Sequence, residues 1–543
     1  MQTAYTVLIL LMLVSVSRLV GRVIPLPLPL VQIAAGALLA WPTLGLHVAL
    51  DPELFLFLFL PPLLFSDGWR MPKRALWKLR GPILTLAVGL VLFTVVGAGY
   101  FIHWLVPSIP LPVAFALAAV LSPTDAVAVS AISQNRLPTP LMHMLQGEAL
   151  MNDASGLVTF KFALAAAITG AFSLANASLT FVLVAIGGLL VGVALSWLVG
   201  RLRAWMIARG WDDPATHVVF MLLLPFAAYV LAERLGVSGI LSAVAAGMMQ
   251  SWLDLLPRQT STRLLNRSVW SLLEFAFNGL IFLLLGLQLP DIIKAVVSHE
   301  STLWPTLFYR CLEVLAIFLA LLMLRFIWVQ SIWRLSVLLR RWRGKGELTE
   351  VPTARSCWLL TVGGVRGAVT LAGVMSVPML MGAEAFPERD LLIFIAAGVI
   401  LLSLVTACIA LPLLLRGLPK SPDDKRRQEV RDAWRKTAEA AIHALEAEEA
   451  NPQDAAQAAL AAELKARIMS EYRHQLEVFN DSAEAQALAF QMDLLERRLR
   501  LNALRAQSLE LYRLSRHHQI GDDVLREVLA DLDLSEANLG PVK

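Results

Sequence analysis

Residues 110–134 read PLPVAFALAAVLSPTDAVAVSAISQ. Two apolar stretches flank a polar centre, Ser122, Pro123, Thr124 and Asp125. Together they are long enough to cross a hydrocarbon core of about 30 Å as a helix. Pro123, however, removes a backbone donor and pushes its neighbour out of helical geometry, so the span is expected to break at its middle. A carboxylate such as Asp125 costs several kcal/mol if it faces lipid, and it therefore turns toward a cavity or a partner. Open backbone carbonyls, the Thr124 hydroxyl and the Asp125 carboxylate would make the all-oxygen surroundings that a small hard cation prefers. The stretch thus predicts an all-α membrane protein with an ion path through it.

The rest of the chain agrees. Of the 543 residues, 57% are hydrophobic and 16% charged, and the mean hydropathy of +0.65 exceeds that of an ordinary soluble protein. Apolar runs recur up to Leu415 and resolve into about thirteen spans. Residues 110–134 form the fifth of these. The net charge of +4 does not imply nucleic acid, because the basic residues gather in alternate short loops. Arg18 and Arg22, then Arg70 to Arg80, Arg136, Arg201 to Arg209, Arg258 to Arg267 and Arg334 to Lys345 follow odd-numbered spans. Cations collect on the cytoplasmic side, which puts the N-terminus outside and the C-terminus in the cytoplasm. A cleaved signal peptide is not expected, since no basic residue precedes the first run. Residues 1–416 therefore read as a transmembrane domain. Residues 417–543 read as a separate domain of amphipathic helices, such as Glu429 to Ala450 and Ala483 to Ser515, with breaks at Asn451–Pro452 and Asn480–Ser482. That tail holds no phosphate loop or metal cluster, and a helical regulatory or oligomerisation role is expected for it. Cys311, Cys357 and Cys408 lie far apart, without metal-ligand spacing, and are expected to be inert thiols.

Two further spans carry charge. The sixth, residues 143–171, contains Gly147, Glu148, Ala149, Leu150, Met151, Asn152, Asp153, Ala154, Ser155 and Gly156. Helical spacing stacks Glu148 with Asn152 on one side and Ala149 with Asp153 on the next, so the two acids need not share a role. The twelfth, residues 356–381, contains Gly363, Gly364, Val365, Arg366, Gly367 and Ala368. An arginine stays charged in the membrane and needs a fixed anionic partner, for which Glu148 is the preferred candidate. The paired glycines allow a second break. Spans five and twelve run in opposite directions, as two inverted repeats of about six helices, with span seven as the connector, would require.

Ser122 to Val129, Gly147 to Gly156, Glu274 and Asn278 before Leu284 to Gly286, and Val365 to Thr370 together resemble the monovalent cation:proton antiporter-1 family, the sodium/proton exchangers, and especially its bacterial branch with a long cytoplasmic tail. The resemblance implies a thirteen-helix fold with a moving core domain and a homodimer in the bacterial inner membrane. It also implies that Asp125, Asp153, Thr124 and Asn152 form the ion- and proton-exchanging site, with Asp125 and Asp153 as the carboxylates that meet the cation, and that Glu148 and Arg366 form a structural ion pair. Cofactors are not expected; the cargo would be Na⁺, or K⁺ or Li⁺, against H⁺. The pairing of Asn152 with Asp153 resembles the motif associated with electroneutral exchange, for Asn152 cannot carry a proton. Many relatives place a serine ligand where this chain has Ala149, which leaves cation selectivity open.

If proton and cation compete for Asp153, and the core crosses only when that charge is neutralised, exchange becomes obligatory. Asp125 and Asp153 could instead be structural polar residues, but their motifs and depth weigh against that. Lys161 reads equally as a core cation or as half of a structural pair. Glu274 and Asn278, four residues apart, either line the cavity or bond across helices. His103 reads as an interfacial histidine, and Arg310, Glu313 and Arg325 as end-of-span pairing or snorkelling. A passive channel is the rival class, against which stands the lack of a repeated carbonyl filter. An enzyme is not expected, since the motif-bearing spans show no nucleophile beside a base. A regulatory partner of the tail is the remaining protein-partner expectation.

Overall fold

The computed structural model describes residues 2–23, 26–40, 52–134, 136–169, 174–211, 213–254, 260–297, 303–342, 354–378, 380–381, 384–416, 424–447, 455–478, 483–517 and 519–539. The chain divides into two compact units, Met1–Leu418 and Pro419–Lys543. The first is built from α1 (Gln2–Val23), α2 (Leu28–Leu39), α3 (Pro52–Arg70), α4 (Lys73–Lys78), α5 (Arg80–Leu84), α6 (Leu90–Leu105), α7 (Leu111–Val120), α8 (Ala126–Ser133) and α9 (Thr139–Thr169). It continues with α10 (Leu174–Ala208), α11 (Pro214–Arg234), α12 (Gly239–Leu253), α13 (Thr260–Val297), α14 (Leu303–Trp342), α15 (Ala354–Val362), α16 (Ala368–Met375) and α17 (Arg389–Leu415). A two-residue antiparallel ladder, Leu380–Met381 with Glu384–Ala385, is the one extended element among the described residues.

Six of these segments are long and apolar enough to cross a membrane by length and composition: Arg80–Leu105, Val182–Ala208, Pro214–Arg234, Thr262–Val296, Trp304–Leu335 and Arg389–Leu415. Shorter apolar helices, Tyr5–Gly21, Leu28–Leu39, Leu111–Val120 and Gly239–Leu253, lie among them. Helices α13 and α14 extend beyond the apolar runs read from the sequence, to Val297 and Trp342. Arg325 therefore stands inside α14, not at its end.

Two helix interruptions organise the unit. The segment 110–134 breaks between α7 and α8, and the segment 356–381 between α15 and α16. The two breaks meet, because the Asp125 backbone N–H donates to the Val365 carbonyl at 2.7 Å. A third irregularity is the π-turn Thr85–Gly89 that joins α5 to α6. Such a turn leaves carbonyls without their usual helical donors. Here Ser155 of α9 donates to the Ala87 carbonyl at 2.5 Å, and Trp328 of α14 donates its indole N–H to the Thr85 carbonyl at 3.1 Å. The turn thereby ties together α9 and α14, which carry the buried Glu148 and Arg325.

Close backbone approach places α3. At Gly68 an added Cβ would lie 2.6 Å from the Val244 carbonyl oxygen of α12, and at Gly247 it would fall on the backbone of Phe65. Small residues at such crossings let helices touch backbone to backbone, the main route to tight packing where lipid supplies no hydrophobic drive. The contact fixes the end of α3, where Ser66 is buried and Asp67 lines a cavity. Phe65 then stacks on Trp270 of α13, ring centroids 5.2 Å apart.

The second unit contains α18 (Asp424–Ala447), α19 (Ala455–Val478), α20 (Ala483–Arg516) and α21 (Asp522–Leu539). Charged pairs one turn apart line these helices, for example Arg500–Glu496 at 2.6 Å. The Arg513 hydrogen bond holds the Glu510 carboxyl below its usual range. The expected breaks at Asn451–Pro452 and Asn480–Ser482 lie outside the described residues. All three cysteines are free thiols, Cys357 buried and Cys311 exposed.

Candidate functional site

A cavity of about 560 Å³ opens between α3, the α7–α8 break, α9, α13 and the start of α16. Thr124, Asp125, Ala149 and Asp153 line it, and so do Asp67, Arg70, Glu274 and Asn278.

Asp125 has two duties. It is the N-cap of α8, with Oδ1 accepting from the Val127 and Ala128 backbone N–H groups at 2.9 and 3.0 Å. This satisfies donors that the helix start would otherwise leave open. Its other oxygen, Oδ2, lies against Gly367, where a Cβ would collide with the carboxylate. The absence of a side chain at Gly367 therefore lets α16 begin beside Asp125.

Asp153 differs. It is 7% exposed and borders the cavity, yet among the described residues no hydrogen bond reaches its carboxylate. Asp67 and Asp125 are the charges in its electrostatic range.

Helical spacing on α9 sorts its polar residues onto two faces. Ala149 and Asp153 meet the cavity, whereas Glu148 and Asn152, 0% and 1% exposed, point into the packed core behind it. There Asn152 Nδ2 donates to the Thr124 hydroxyl at 2.9 Å, and Thr124 donates onward to Glu148 Oε1 at 3.4 Å. Thr124 is shared between the cavity wall and this network, while Asn152 belongs to the network alone.

The expected ion pair between Glu148 and Arg366 is replaced by another. Glu148 is held bidentately by Arg325 of α14, whose Nη2 lies 2.7 Å from Oε2 and whose Nη1 bonds Oε1. Arg325 Nε also donates to the Leu360 carbonyl at 2.9 Å. A planar fork meeting both carboxylate oxygens is the strongest geometry available to such a pair. Arg366 instead serves the helix breaks, donating to the Leu121 carbonyl at 3.0 Å and to the Gly364 carbonyl at 2.6 Å. Its own backbone N–H is taken by Ser403 Oγ at 3.1 Å. The physical reason is local: interrupted helices leave carbonyls without donors, and a buried guanidinium with five donors satisfies two of them. Carbonyls expected to face a cation are thus occupied, those of Leu121 and Gly364 by Arg366 and that of Val365 by Asp125.

Sequence reasoning missed Asp67. It sits in Ser66-Asp67-Gly68-Trp69-Arg70 at the end of α3, just before the basic stretch from Arg70 to Arg80. Its companion Glu274 accepts from Ser66 Oγ and is 2.5 Å from Arg70 Nη1, so Glu274 both lines the cavity and bonds across helices. The available signal was an acid inside an apolar run beside a glycine. Lys161 proves to be paired outside the cavity, its Nζ 3.3 Å from Glu233 Oε1. His103 donates Nδ1–H to the Ile109 carbonyl at 2.7 Å, and Arg310 pairs with Glu313 at 3.0 Å.

Known proteins place this architecture. A solved sodium proton antiporter from Methanocaldococcus jannaschii superposes with a TM-score of 0.58 over 77% of this chain and 99% of its own, at 18% identity, which speaks for the fold. An uncharacterised Na⁺/H⁺ exchanger of Escherichia coli K12 is 46% identical over 99% of both chains. A sodium, potassium, lithium and rubidium/H⁺ antiporter of Bacillus pumilus is 41% identical over 99% of this chain and 78% of its own. The family model described as sodium/hydrogen exchanger, transmembrane, matches residues 7–417. That match takes in α3, both helix breaks, α9 and the cavity they enclose, and the chain belongs to the sodium/hydrogen exchanger family.

Proposed function

We propose that this protein is a secondary antiporter that exchanges an alkali cation for protons, with Asp153 as the carboxylate for which the two compete. The observation that carries this reading is the contrast between two aspartates in one cavity. Asp125 has an oxygen committed to the α8 cap, whereas Asp153 accepts no hydrogen bond from a described residue. A buried carboxylate without donors must be neutralised by a proton or a cation. Asp125 and Asp67 supply the surrounding negative field, Thr124 a hydroxyl, and Asn152 holds Thr124 in place.

Alternating access fits the crossed breaks. Asp125 and Val365 join the two interrupted helices, so the carboxylate and both breaks would move as one body. On this reading the chain forms about thirteen spans in two inverted repeats of about six, with the N-terminus outside, the C-terminus in the cytoplasm and a homodimer in the bacterial inner membrane. The second unit would act as its regulatory tail. Exchange is electroneutral, since Asn152 is locked to Thr124 and has no proton to give.

Sodium is the leading cation, and tolerance of potassium and lithium accords with Ala149, which brings no hydroxyl to the cavity wall. The name of the Bacillus pumilus relative points the same way. Proton flux in proteoliposomes, with each cation supplied in turn and the membrane potential monitored, tests the reading. Coupled flux insensitive to potential is expected, and the apparent KM for the cation should rise about tenfold for each unit fall in pH once protons dominate the site. Cation flux without proton movement would instead mark a channel.

A further inference from the structure

A second cavity, of about 620 Å³, lies away from the cation site, among the ends of α3, α10 and α12 and the first turns of α13. These are all ends at one face of the helix bundle. Its composition is opposite to that of the first. Arg203, Arg263 and Arg267 line it, against Asp254 as its acid. Asp254 is already engaged, accepting from the Trp69 indole N–H at 2.7 Å and from Gln250 Nε2 at 3.1 Å. Arg70 also borders this cavity but is held by Glu274.

The inner surface of the pocket is polar as well. Thr262 and Asn266, four residues apart on α13, are 4% and 6% exposed, and both line the cavity. Among the described residues Thr262 Oγ1 and Asn266 Oδ1 have no hydrogen-bond partner. A buried polar atom without a partner costs about 1–3 kcal/mol and calls for a ligand or water. Arg203, 2% exposed, reaches the same space with its Nε 3.4 Å from His217 Nδ1. Arg263 and Arg267, also four apart, stand on the adjoining exposed face of α13. The arrangement is a buried hydroxyl, amide and guanidinium under a rim of two further guanidinium groups.

We propose that this pocket is an anion site that takes a phosphate group. Guanidinium groups match phosphate oxygens in pairs, the unpartnered Thr262 hydroxyl can donate to such an oxygen, and basic pockets between membrane helices suit phosphate-bearing head groups. The group comes either from an anionic phospholipid or from free phosphate. Apart from Arg70, which borders both cavities, the residues of this site do not line the cation cavity, and the proposal does not rest on the antiport reading.

Thermal unfolding of the purified full-length protein tests it in three additions: inorganic phosphate, phosphatidylglycerol and phosphatidylcholine. A ligand that binds only the folded state raises the unfolding midpoint. A rise on the order of several degrees with phosphatidylglycerol, absent with phosphatidylcholine and lost in the double variant Arg263→Gln, Arg267→Gln, is expected. If inorganic phosphate gives the same rise, the source is free phosphate; if it does not, the lipid is the source. Thr262→Val, which removes an unpartnered buried hydroxyl, should unfold no earlier than the parent without ligand and should lose the rise. No rise with either phosphatidylglycerol or inorganic phosphate, an equal rise with zwitterionic phosphatidylcholine, or a rise that survives unchanged in both variants overturns the proposal.

Discussion

Arg325 grips both oxygens of Glu148 from a helix 177 residues further along the chain, and the pair is almost completely buried. Removing one member leaves the other charged and alone in the core, which costs about 3–5 kcal/mol. In a double-mutant cycle on purified protein, Glu148→Gln and Arg325→Met should therefore show a large coupling energy, on the order of 2 kcal/mol or more. The same cycle with Arg366→Met in place of Arg325→Met should show much less, because Arg366 bonds carbonyls. Equal coupling to both arginines would contradict this assignment.

Asp125 separates cap from charge. Asparagine caps a helix about as well as aspartate, whereas alanine forfeits about 1 kcal/mol. Asp125→Asn should retain the parent's thermal stability and lose cation-dependent proton flux. Asp125→Ala should lose both. If Asp125→Asn keeps full exchange, the residue is a cap only.

Asp67 contributes field rather than a unique ligand. Asp67→Asn should leave exchange measurable but raise the KM for the cation on the order of tenfold, about 1.4 kcal/mol of binding, with a smaller effect on the maximal rate. A titration of flux against cation concentration reads this directly. A total loss with unchanged folding would move Asp67 into the first rank beside Asp153.

Ala149 controls what the cavity wall can offer. Ala149→Ser places a hydroxyl next to Asp153 on the same face of α9, and the ratio of KM for potassium to KM for sodium should change as a result. Unaltered ratios across lithium, sodium and potassium would show that this wall does not sense the cation.

The features that were legible in the sequence are those that local chemistry determines. Pro123 and the Gly363–Gly364 pair announced two breaks, and the period of an α-helix separated Glu148 and Asn152 from Ala149 and Asp153 before any packing was known. Pairing was less legible. Arg325 and Arg366 both sit in apolar spans, and nothing local says which of them will face Glu148 across the core. The choice depends on the π-turn at Thr85–Gly89 and on Trp328, which draw α14 against its neighbours. Asp67 was not legible because it stands at the end of an apolar run, just before the basic stretch from Arg70 to Arg80, and only the backbone contact of Gly68 and Gly247 with facing helices sets the end of α3 at the cavity.

The central claim concerns Asp153, and proton flux by Asp153→Asn in proteoliposomes tests it most directly. Asparagine keeps the size and polarity of the side chain and removes the charge for which proton and cation compete. The variant should insert and fold as the parent does and show no cation-dependent proton flux at any cation concentration. Exchange at the parent's rate would contradict the account.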